Sequence, residues 1–543
     1  MQQTNTKRPN VILILVDDMG FADLGIMGSE IRTPNLDRLA NEGVLCTSMY
    51  NGARCCPSRA SLLTGLYPHR AGVGHMTADL GEPAYQGRLA DNAVTIAEVL
   101  QLSGYRTLMS GKWHVGGEYY ARRTDEWRPG AEGFPTPRQR GFDRYYGIID
   151  GVTNFFSPHY IMEDDVQVEV SSDDYYFTDA ITDKAIDMVT QSVADDKPFF
   201  LYLAHTAPHW PLHAPAEDIA RYEGIYDQGW DAVRTARHEE MNSRGLLQQP
   251  WDISPRDASA PPWADVPHKA WEAQRMAVYA AMIDRMDQSI GRLLDTLKQL
   301  GQDEDTLILF LSDNGGCAEF MAEDGWAKFM PDVTNDGRQI TMGNRPDVLP
   351  GGPLTYMSYD LPWANVSNAP FRLFKHWVHE GGISTPLIAH WPARLENDQQ
   401  KSHIQHTPCH LVDILPTILA ATGASYPREY NNHEIPVPDG ESLLPMLEGQ
   451  SWMRQQPIFW EHEGNCAVRL DNFKLVRQYK QPWELYDMDM DRTELHNLIG
   501  RHEPLTQQLL GEFERWATDV GVIEWSVLLP RLYAYWGMNN IHG

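Results

Sequence analysis

Two pairs of residues with side-chain oxygens follow short apolar runs of the sequence. Asp17 and Asp18 come after residues 11–16, and Asp313 and Asn314 come shortly after residues 306–311. Such runs predict buried parallel strands, and open α/β sheets bind ligands at the carboxyl ends of their strands. A solvated turn would explain one pair alone, but two pairs favour a metal site. Carboxylate and amide oxygens, with no Cys or His among them, suit Ca²⁺ or Mg²⁺ better than zinc.

A cysteine-containing segment supplies a second kind of chemistry. It reads Cys55-Cys56-Pro57-Ser58-Arg59-Ala60-Ser61-Leu62-Leu63-Thr64-Gly65. Six cysteines scattered over 543 residues do not form a disulfide scaffold, so the adjacent pair needs its own explanation. One interpretation of the pair is a structural Cys-Cys turn, and the other is a reactive cysteine.

The segment resembles the signature of the type I sulfatases, Cys-x-Pro-Ser-Arg followed by x-x-x-Leu-Thr-Gly. In that family the first cysteine is oxidised after translation to Cα-formylglycine, and by position this residue is Cys55. Cys56 falls on the variable position of the signature, so its likeness to a vicinal dithiol is incidental. The resemblance therefore implies a modified residue at position 55.

The resemblance extends over nearly the whole chain. Within the family, the sequence is most similar to bacterial arylsulfatases of the Pseudomonas type. Residues 9–20 resemble the family's first strand and metal loop, and residues 33–40 resemble its first helix. Three further matches are Gly111-Lys112-Trp113-His114, Ala207-Pro208-His209-Trp210-Pro211, and Phe374-Lys375 followed by Glu380-Gly381-Gly382-Ile383. The implied fold is alkaline-phosphatase-like.

The resemblance implies a specific reaction, the hydrolysis of small organic sulfate monoesters, above all aryl sulfates. Hydrated formylglycine at position 55 is a geminal diol, and one hydroxyl, held on the metal, attacks sulfur and expels the alcohol or phenol. Deprotonation of the other hydroxyl collapses the sulfated hemiacetal and releases inorganic sulfate. A serine could not perform this second step, because it lacks the neighbouring hydroxyl.

Matched positions also imply roles for individual residues. His114 is the base that drives the collapse, and His209 and Lys375 are the candidates that contact the sulfate ester and protonate the leaving oxygen. Arg59 and Lys112 hold and polarise the formylglycine hydrate. The implied ligands of one cation, Ca²⁺ with Mg²⁺ as the alternative, are Asp17, Asp18, Cys55 in its modified form, Asp313 and Asn314.

Some histidines lie near these motifs but outside the matched positions. They are His69, His75, His205 and His213. Of these, His75 and His205 are the two that could reach the pocket.

The remaining sequence pattern predicts an α/β fold with a mostly parallel central sheet flanked by helices. Thr33-Pro34 predicts a helix start with Thr33 as the N-cap, Thr95 and Glu98 predict a capping box, and residues 271–300 predict a long helix. Near residue 435 the pattern changes to short antiparallel strands and a helix. We therefore predict a catalytic domain over residues 1–434 and a smaller α+β subdomain over residues 435–543.

Two long stretches, residues 224–267 and 318–370, lack clear periodicity. Such loops in enzymes commonly form pocket walls, so we expect at least one of them to line the pocket mouth. They carry several tryptophans that could stack on an aryl or sugar ring or pack in the core: Trp230, Trp251, Trp263, Trp326 and Trp363.

The formal charge of −29, from 45 Lys and Arg against 74 Asp and Glu, argues against nucleic acid, anionic membranes and long sulfated polymers as partners. The expected partners are a small sulfate ester and a formylglycine-generating maturation enzyme. The leader is polar and carries no signal peptide, which predicts a cytoplasmic protein as the chain stands, or an exported one if a signal was removed.

Two alternatives to a sulfatase remain at this point. A phosphonate monoester or phosphodiester hydrolase of the same superfamily shares the cysteine motif, but such enzymes typically place His after the metal-binding Asp, where this chain has Asn314. A binding-only relative would carry an unmodified Cys55. The intact ligand, nucleophile and cationic positions argue against the second alternative.

Overall fold

The structure is a computed structural model, and it describes residues 8–116, 128–170, 174–324, 329–395 and 403–537. The strands are β1 (Asn10–Val16), β2 (Val44–Tyr50), β3 (Arg106–Lys112), β4 (Arg144–Ile148), β5 (Ile161–Glu163), β6 (Val166–Val168), β7 (Phe199–Ala204), β8 (Thr306–Ser312), β9 (Thr341–Met342), β10 (Thr355–Tyr356), β11 (Ser384–His390), β12 (His403–Gln405), β13 (Cys409–His410), β14 (Glu429–Tyr430), β15 (His433–Glu434), β16 (Ile458–His462), β17 (Asn465–Leu470), β18 (Phe473–Arg477) and β19 (Glu484–Asp487). The α-helices are α1 (Pro34–Glu42), α2 (Cys55–Thr64), α3 (Ile96–Leu102), α4 (Phe177–Ala194), α5 (Ala216–Ile219), α6 (Trp230–Ser243), α7 (Lys269–Gln299), α8 (Asp360–Ser367), α9 (Glu380–Ile383), α10 (Pro392–Leu395), α11 (Ile414–Thr422), α12 (Leu444–Leu447), α13 (Glu503–Val520) and α14 (Trp525–Tyr535).

A large mixed sheet forms the centre of the main domain, with the strand order β12-β2-β11-β8-β1-β7-β3-β4-β5-β6 and with β13 beside β2. The pairs β8-β1, β1-β7, β7-β3 and β3-β4 are parallel. Strand β11 is antiparallel to both β8 and β2, so β2 runs in the same direction as β8. Strands β2, β8, β1, β7, β3 and β4 therefore all end at one edge of the sheet.

Strand β1 lies in the middle of the sheet and is buried on both faces. Its alternate side chains separate into two apolar clusters, with Ile12 and Ile14 on one face and Leu13 and Leu15 on the other. This arrangement explains why the run is continuously apolar, since helices cover both faces of a parallel sheet. The predicted mostly parallel α/β fold is confirmed.

The predicted helix starts are confirmed, and the two caps differ in how their hydroxyls bond. The Thr95 amide donates to Glu98 Oε2 at 2.7 Å, and the Glu98 amide donates to Thr95 Oγ1 at 3.1 Å, which confirms the capping box. Thr33 is the N-cap residue of α1 and Pro34 its first helical residue, as predicted, but the Thr33 hydroxyl donates to Asp37 Oδ1 at 2.8 Å and accepts no hydrogen bond from a helix amide. The α1 amide of Leu36 is satisfied by Asp287 Oδ1 at 2.8 Å.

A smaller subdomain follows the main sheet. Its strands β16-β17-β18-β19 form an antiparallel sheet, and α13 packs against it. The predicted C-terminal α+β subdomain is therefore present, while its start at residue 435 stays a prediction. None of the helices in the described part of the chain combines the length and the apolarity needed to cross a membrane.

A buried ionic network joins the two parts. Lys474 Nζ lies 2.9 Å from Glu380 Oε1 and 2.9 Å from Glu494 Oε1, and Arg492 Nε lies 2.9 Å from Glu380 Oε2. Burial disfavours the ionised Glu380, but Lys474 and Arg492 lower its pKa to about 2. Glu380 lies in the Glu-Gly-Gly-Ile match, so this part of the motif anchors the C-terminal sheet.

The variant Lys474→Met is expected to lose about 3–5 kcal/mol of unfolding free energy at neutral pH, because it leaves buried carboxylates without their cation. A lowered folded-state pKa means that Glu380 stabilises the wild type fully above its ordinary pKa and loses this contribution as the pH falls toward 2. Removal of Lys474 raises that pKa, so Glu380 takes up a proton more readily in the variant. The difference in unfolding free energy between the wild type and the variant should therefore shrink as the pH falls from about 7 to about 5.

Urea unfolding of both proteins at the two pH values measures this change. Lys480→Met, at an exposed lysine of the same subdomain, is the control and should be nearly neutral. A Lys474→Met deficit that is absent or independent of pH would contradict the assigned network.

Candidate active site

The matched residues lie at the sheet edge where these parallel strands end. Asp17 and Asp18 follow β1, Asp313 follows β8, and Lys112 is the last residue of β3. The chain turns sharply at Asp18, whose φ is +67°. Asp is one of the few residue types that tolerate this left-handed conformation.

Four side chains supply the oxygens of the predicted cation site. The Asn314 amide donates to Asp18 Oδ1 at 2.6 Å, and the Asp18 backbone amide donates to Asp313 Oδ1 at 3.2 Å. Asp17 Oδ1 and Asn314 Oδ1 are buried and accept no hydrogen bond from the described part of the chain. Buried oxygens without donors are costly, and a bound cation would satisfy them. The residues present therefore fit a hard divalent cation.

Buried cations surround these carboxylates. Lys112 Nζ lies 2.5 Å from Asp17 Oδ2, and Arg59 Nη2 lies 2.9 Å from Asp313 Oδ2. Burial opposes ionisation of Asp17, yet Lys112 and the other neighbouring cations hold its pKa below the usual range. Burial and the charge of Asp17 instead raise the pKa of Asp313 well above its usual value. An added divalent charge would relieve this repulsion.

Cys55 is the first residue of α2, and its side chain is directed into the cluster. Its sulfur lies within 4.8 Å of a ring nitrogen of His114. A hydrogen bond with Cys56 and the charges of His114 and Lys112 lower the pKa of the Cys55 thiol well below its usual value. The positive end of the α2 dipole also faces this position, which favours an anion there.

His209 and Lys375 lie together on the far side of Asp18. Lys375 Nζ is 2.9 Å from Asp18 Oδ1 and 3.3 Å from His209 Nε2. His209 Nδ1 is 2.6 Å from the Trp210 carbonyl oxygen, so Nδ1 carries the proton and Nε2 accepts from Lys375. Burial opposes the ammonium form, but Asp18 and Glu319 raise the pKa of Lys375 well above its usual value.

Two further charged residues adjoin the site without having been predicted. Glu319 Oε1 lies 2.9 Å from Arg54 Nη1, and Glu319 Oε2 accepts from Trp210 Nε1 at 2.8 Å. Glu319 Oε2 also lies 3.9 Å from Lys375 Nζ. Glu319 belongs to the second irregular loop, residues 318–370, and its partner Arg54 directly precedes Cys55. One of the two irregular loops therefore passes beside residue 55, as expected.

The motif glycines allow three segments of the site to meet. A Cβ on Gly315 would lie 1.9 Å from the Gly381 carbonyl oxygen, and a Cβ on Gly381 would lie 2.2 Å from the Leu373 carbonyl oxygen. Both positions are therefore restricted to glycine by close backbone approach. This packing places the Lys375 segment against the end of β8.

The irregular loops otherwise contribute to packing. Trp230 contacts Trp263 with ring centres 4.7 Å apart, and Trp363 with ring centres 5.6 Å apart. Trp251 donates from Nε1 to the Asp489 carbonyl. These four tryptophans therefore pack within the protein, and Trp326 lies outside the described residues.

The extra histidines have structural partners or are buried. His69 Nε2 is 2.8 Å from Glu461, and His213 Nε2 is 2.7 Å from the Thr355 carbonyl oxygen. His205 is fully buried and is not among the residues gathered at Cys55. His75 donates to Glu463 at 2.7 Å.

Comparison with known proteins agrees with this architecture. The family profile described as Sulfatase matches residues 9–424, and the profile described as N-sulphoglucosamine sulphohydrolase, C-terminal, matches residues 371–518. An uncharacterized sulfatase of Schizosaccharomyces pombe is 31% identical over 96% of both chains. An arylsulfatase of Klebsiella aerogenes is 33% identical over 77% of this chain and 87% of its own.

A solved structure described as Ps i-CgsB in complex with k-i-k-neocarrahexaose has a TM-score of 0.66 and 26% identity, and the match covers 94% of this chain and 93% of that one. Together, fold and family define an alkaline-phosphatase-like sulfuric ester hydrolase. The chain belongs to the sulfatase family.

Proposed function

We propose that this enzyme hydrolyses small organic sulfate monoesters, with a preference for aryl sulfates, to the free phenol or alcohol and inorganic sulfate. The observation that carries the proposal is that Cys55, three basic side chains and four side chains with metal-ligating oxygens converge at one sheet edge. The basic side chains are Arg59, Lys112 and Lys375, and all are buried. Such a site favours a small tetrahedral anion at the start of α2.

Cys55 is the residue to be converted to Cα-formylglycine, which requires a maturation enzyme as a partner. The modified residue supplies, as its hydrate, two hydroxyls on one carbon, one to attack sulfur and one to release sulfate. His114, with a ring nitrogen within 4.8 Å of the Cys55 sulfur, is the base that we assign to accept the proton of the second hydroxyl. Peptide mass spectrometry across residues 55–59 of the active protein should show an aldehyde in place of the thiol.

Asp17, Asp18, Asp313 and Asn314, together with residue 55, would hold one divalent cation, for which Ca²⁺ is the first choice and Mg²⁺ the second. The cation supplies positive charge beside the sulfate oxygens and the attacking hydroxyl. The chain supplies the remaining charge: Arg59 Nη1 donates to the Lys112 carbonyl at 3.1 Å and so fixes both cations relative to the carboxylates.

Lys375 and His209 form the leaving-group side of the site. Lys375 retains its proton, and His209 Nε2 accepts from it, so Lys375 is positioned to pass a proton to the departing oxygen. The positive charge of Lys375, held beside the departing ester oxygen, would stabilise the negative charge that develops there.

Rates on a matched pair of substrates test the proposed reaction. 4-Nitrophenyl sulfate and bis(4-nitrophenyl) phosphate share a leaving group, so the ratio of their kcat/KM values reports the preferred central group. We expect the sulfate ester to be hydrolysed faster. Faster turnover of the phosphodiester would support the phosphodiesterase alternative and overturn the proposed function.

A further inference from the structure

A second group of side chains of the types that bind metals lies apart from the residues gathered at Cys55. We refer to it as the histidine cluster, and it consists of His75, His376, His462 and Glu463. Its members come from three distant segments: the loop after α2, the segment between α8 and α9, and the end of β16 with the first residue of the turn to β17. The cluster therefore spans the contact between the main domain and the C-terminal sheet.

Three members of the cluster are spaced as metal ligands. His376 Nδ1 lies 3.3 Å from Glu463 Oε2, and His462 Nε2 lies 3.8 Å from Glu463 Oε1. One ligand atom from each of the three lies within 4.8 Å of the others. A tetrahedral zinc ion with bonds of about 2.0–2.1 Å separates its ligand atoms by about 3.4 Å. Small side-chain rotations would close the cluster onto an ion.

His462 gives independent support for a ligand at this position. Its side chain is fully buried, and neither ring nitrogen has a hydrogen-bond partner among the residues that the structure describes. An imidazole buried without partners costs free energy, which coordination of its lone pair would offset. Burial lowers the pKa values of His462 and His376, which favours the neutral rings that bind metals.

Glu463 and His75 complete the arrangement. His75 Nε2 donates to Glu463 Oε1 at 2.7 Å and so fixes the orientation of the carboxylate. Burial alone would raise the pKa of Glu463, but the hydrogen bond from His75 opposes this effect and lowers the pKa. A carboxylate held by a neighbouring hydrogen bond is characteristic of the outer shell of metal sites.

We propose that His376, His462 and Glu463 bind a divalent transition-metal ion, Zn²⁺ in the first instance, and that His75 orients the Glu463 ligand. Two imidazoles and a carboxylate favour zinc over Ca²⁺, and three protein ligands leave a fourth position open. The His376 amide donates to the Ala53 carbonyl at 2.7 Å. The ion would therefore clamp the C-terminal hairpin to the segments that carry Lys375 and Cys55.

Zinc binding must be measured without interference from the active site. Cys55, Cys56 and His114 also lie within 4.8 Å of one another, and an unmodified thiol there would bind zinc. The test therefore uses full-length Cys55→Ala protein, titrated with ZnCl₂ by calorimetry in the presence of saturating Ca²⁺. We expect one zinc ion per chain, together with a rise in Tm as zinc is added.

Variants of the cluster assign the site. In the Cys55→Ala background, His75→Ala is expected to weaken zinc binding about 10- to 100-fold, and His462→Ala more strongly. His205→Ala is the matched control, because His205 is another fully buried imidazole whose ring nitrogens lack partners. It should bind zinc as the parent does.

The proposal is overturned if the parent binds no zinc, or if its zinc affinity is unchanged by His462→Ala. Should the His462 variant fail to fold, Co²⁺ titration of the Cys55→Ala parent replaces it. The intense visible absorption of tetrahedral Co²⁺, displaced by zinc, supports the site, and a weak octahedral spectrum rejects it. None of these readouts depends on sulfatase activity, so the outcome is independent of the proposed function.

Discussion

Replacing Cys55 by alanine is expected to abolish sulfate-ester hydrolysis, with kcat/KM falling on the order of 10⁵-fold or more. The reason is that every other group of the site acts on residue 55 or on the ester that it attacks. His114 lies beside Cys55, and α2 directs its amino-terminal end at the same position. Initial rates on 4-nitrophenyl sulfate measure the loss, and circular dichroism checks the fold.

Two variants separate the nucleophile from its surroundings. Cys56→Ser changes the adjacent buried cysteine at the variable motif position and should retain most of the activity. Cys55→Ser keeps a nucleophilic oxygen but lacks the second hydroxyl, so it should release at most about one equivalent of nitrophenol and then stop. Sustained turnover by Cys55→Ser or Cys55→Ala at the wild-type rate would contradict the assignment of residue 55.

The strands and their ends were predictable because each depends on the pattern of apolar and polar residues in a short stretch of sequence. The continuous apolar run before Asp17 is buried on both faces as β1, and the similar run before Asp313 is its neighbour β8. Parallel neighbours end at the same edge, so the proximity of these carboxylates follows from the sequence pattern. The long helix α7, predicted at residues 271–300, follows from the 3.6-residue periodicity in the same way.

Contacts that join distant segments were not predictable in this way. Glu319 is a single acidic residue in an aperiodic loop, and only the fold places it beside Arg54. The histidine cluster combines residues almost 400 positions apart, and its members have no motif spacing. From the sequence, the tryptophans of the irregular loops could equally bind a substrate ring or pack in the core. For Trp230, Trp263 and Trp363, their mutual ring contacts show that they pack in the core.

Lys375→Met is expected to impair substrates with poor leaving groups far more than activated ones. Without an acid, the departing oxygen leaves as an anion, so unactivated aryl sulfates should lose about 10²- to 10⁴-fold in kcat. 4-Nitrophenyl sulfate, whose phenolate is stable, should lose much less. The measurement is the slope of log kcat against leaving-group pKa, which should become steeper in the variant than in the wild type.

Lys375→Arg distinguishes proton donation from charge. An arginine preserves the positive charge beside Asp18 but does not give up a proton, so its slope should stay steep while the rate for 4-nitrophenyl sulfate recovers. His209→Ala should steepen the slope less than Lys375→Met, because the Nδ1 proton of His209 is committed to the Trp210 carbonyl and its Nε2 accepts from Lys375. If His209→Ala alone steepens the slope, His209 is the acid and Lys375 serves only to hold the sulfate.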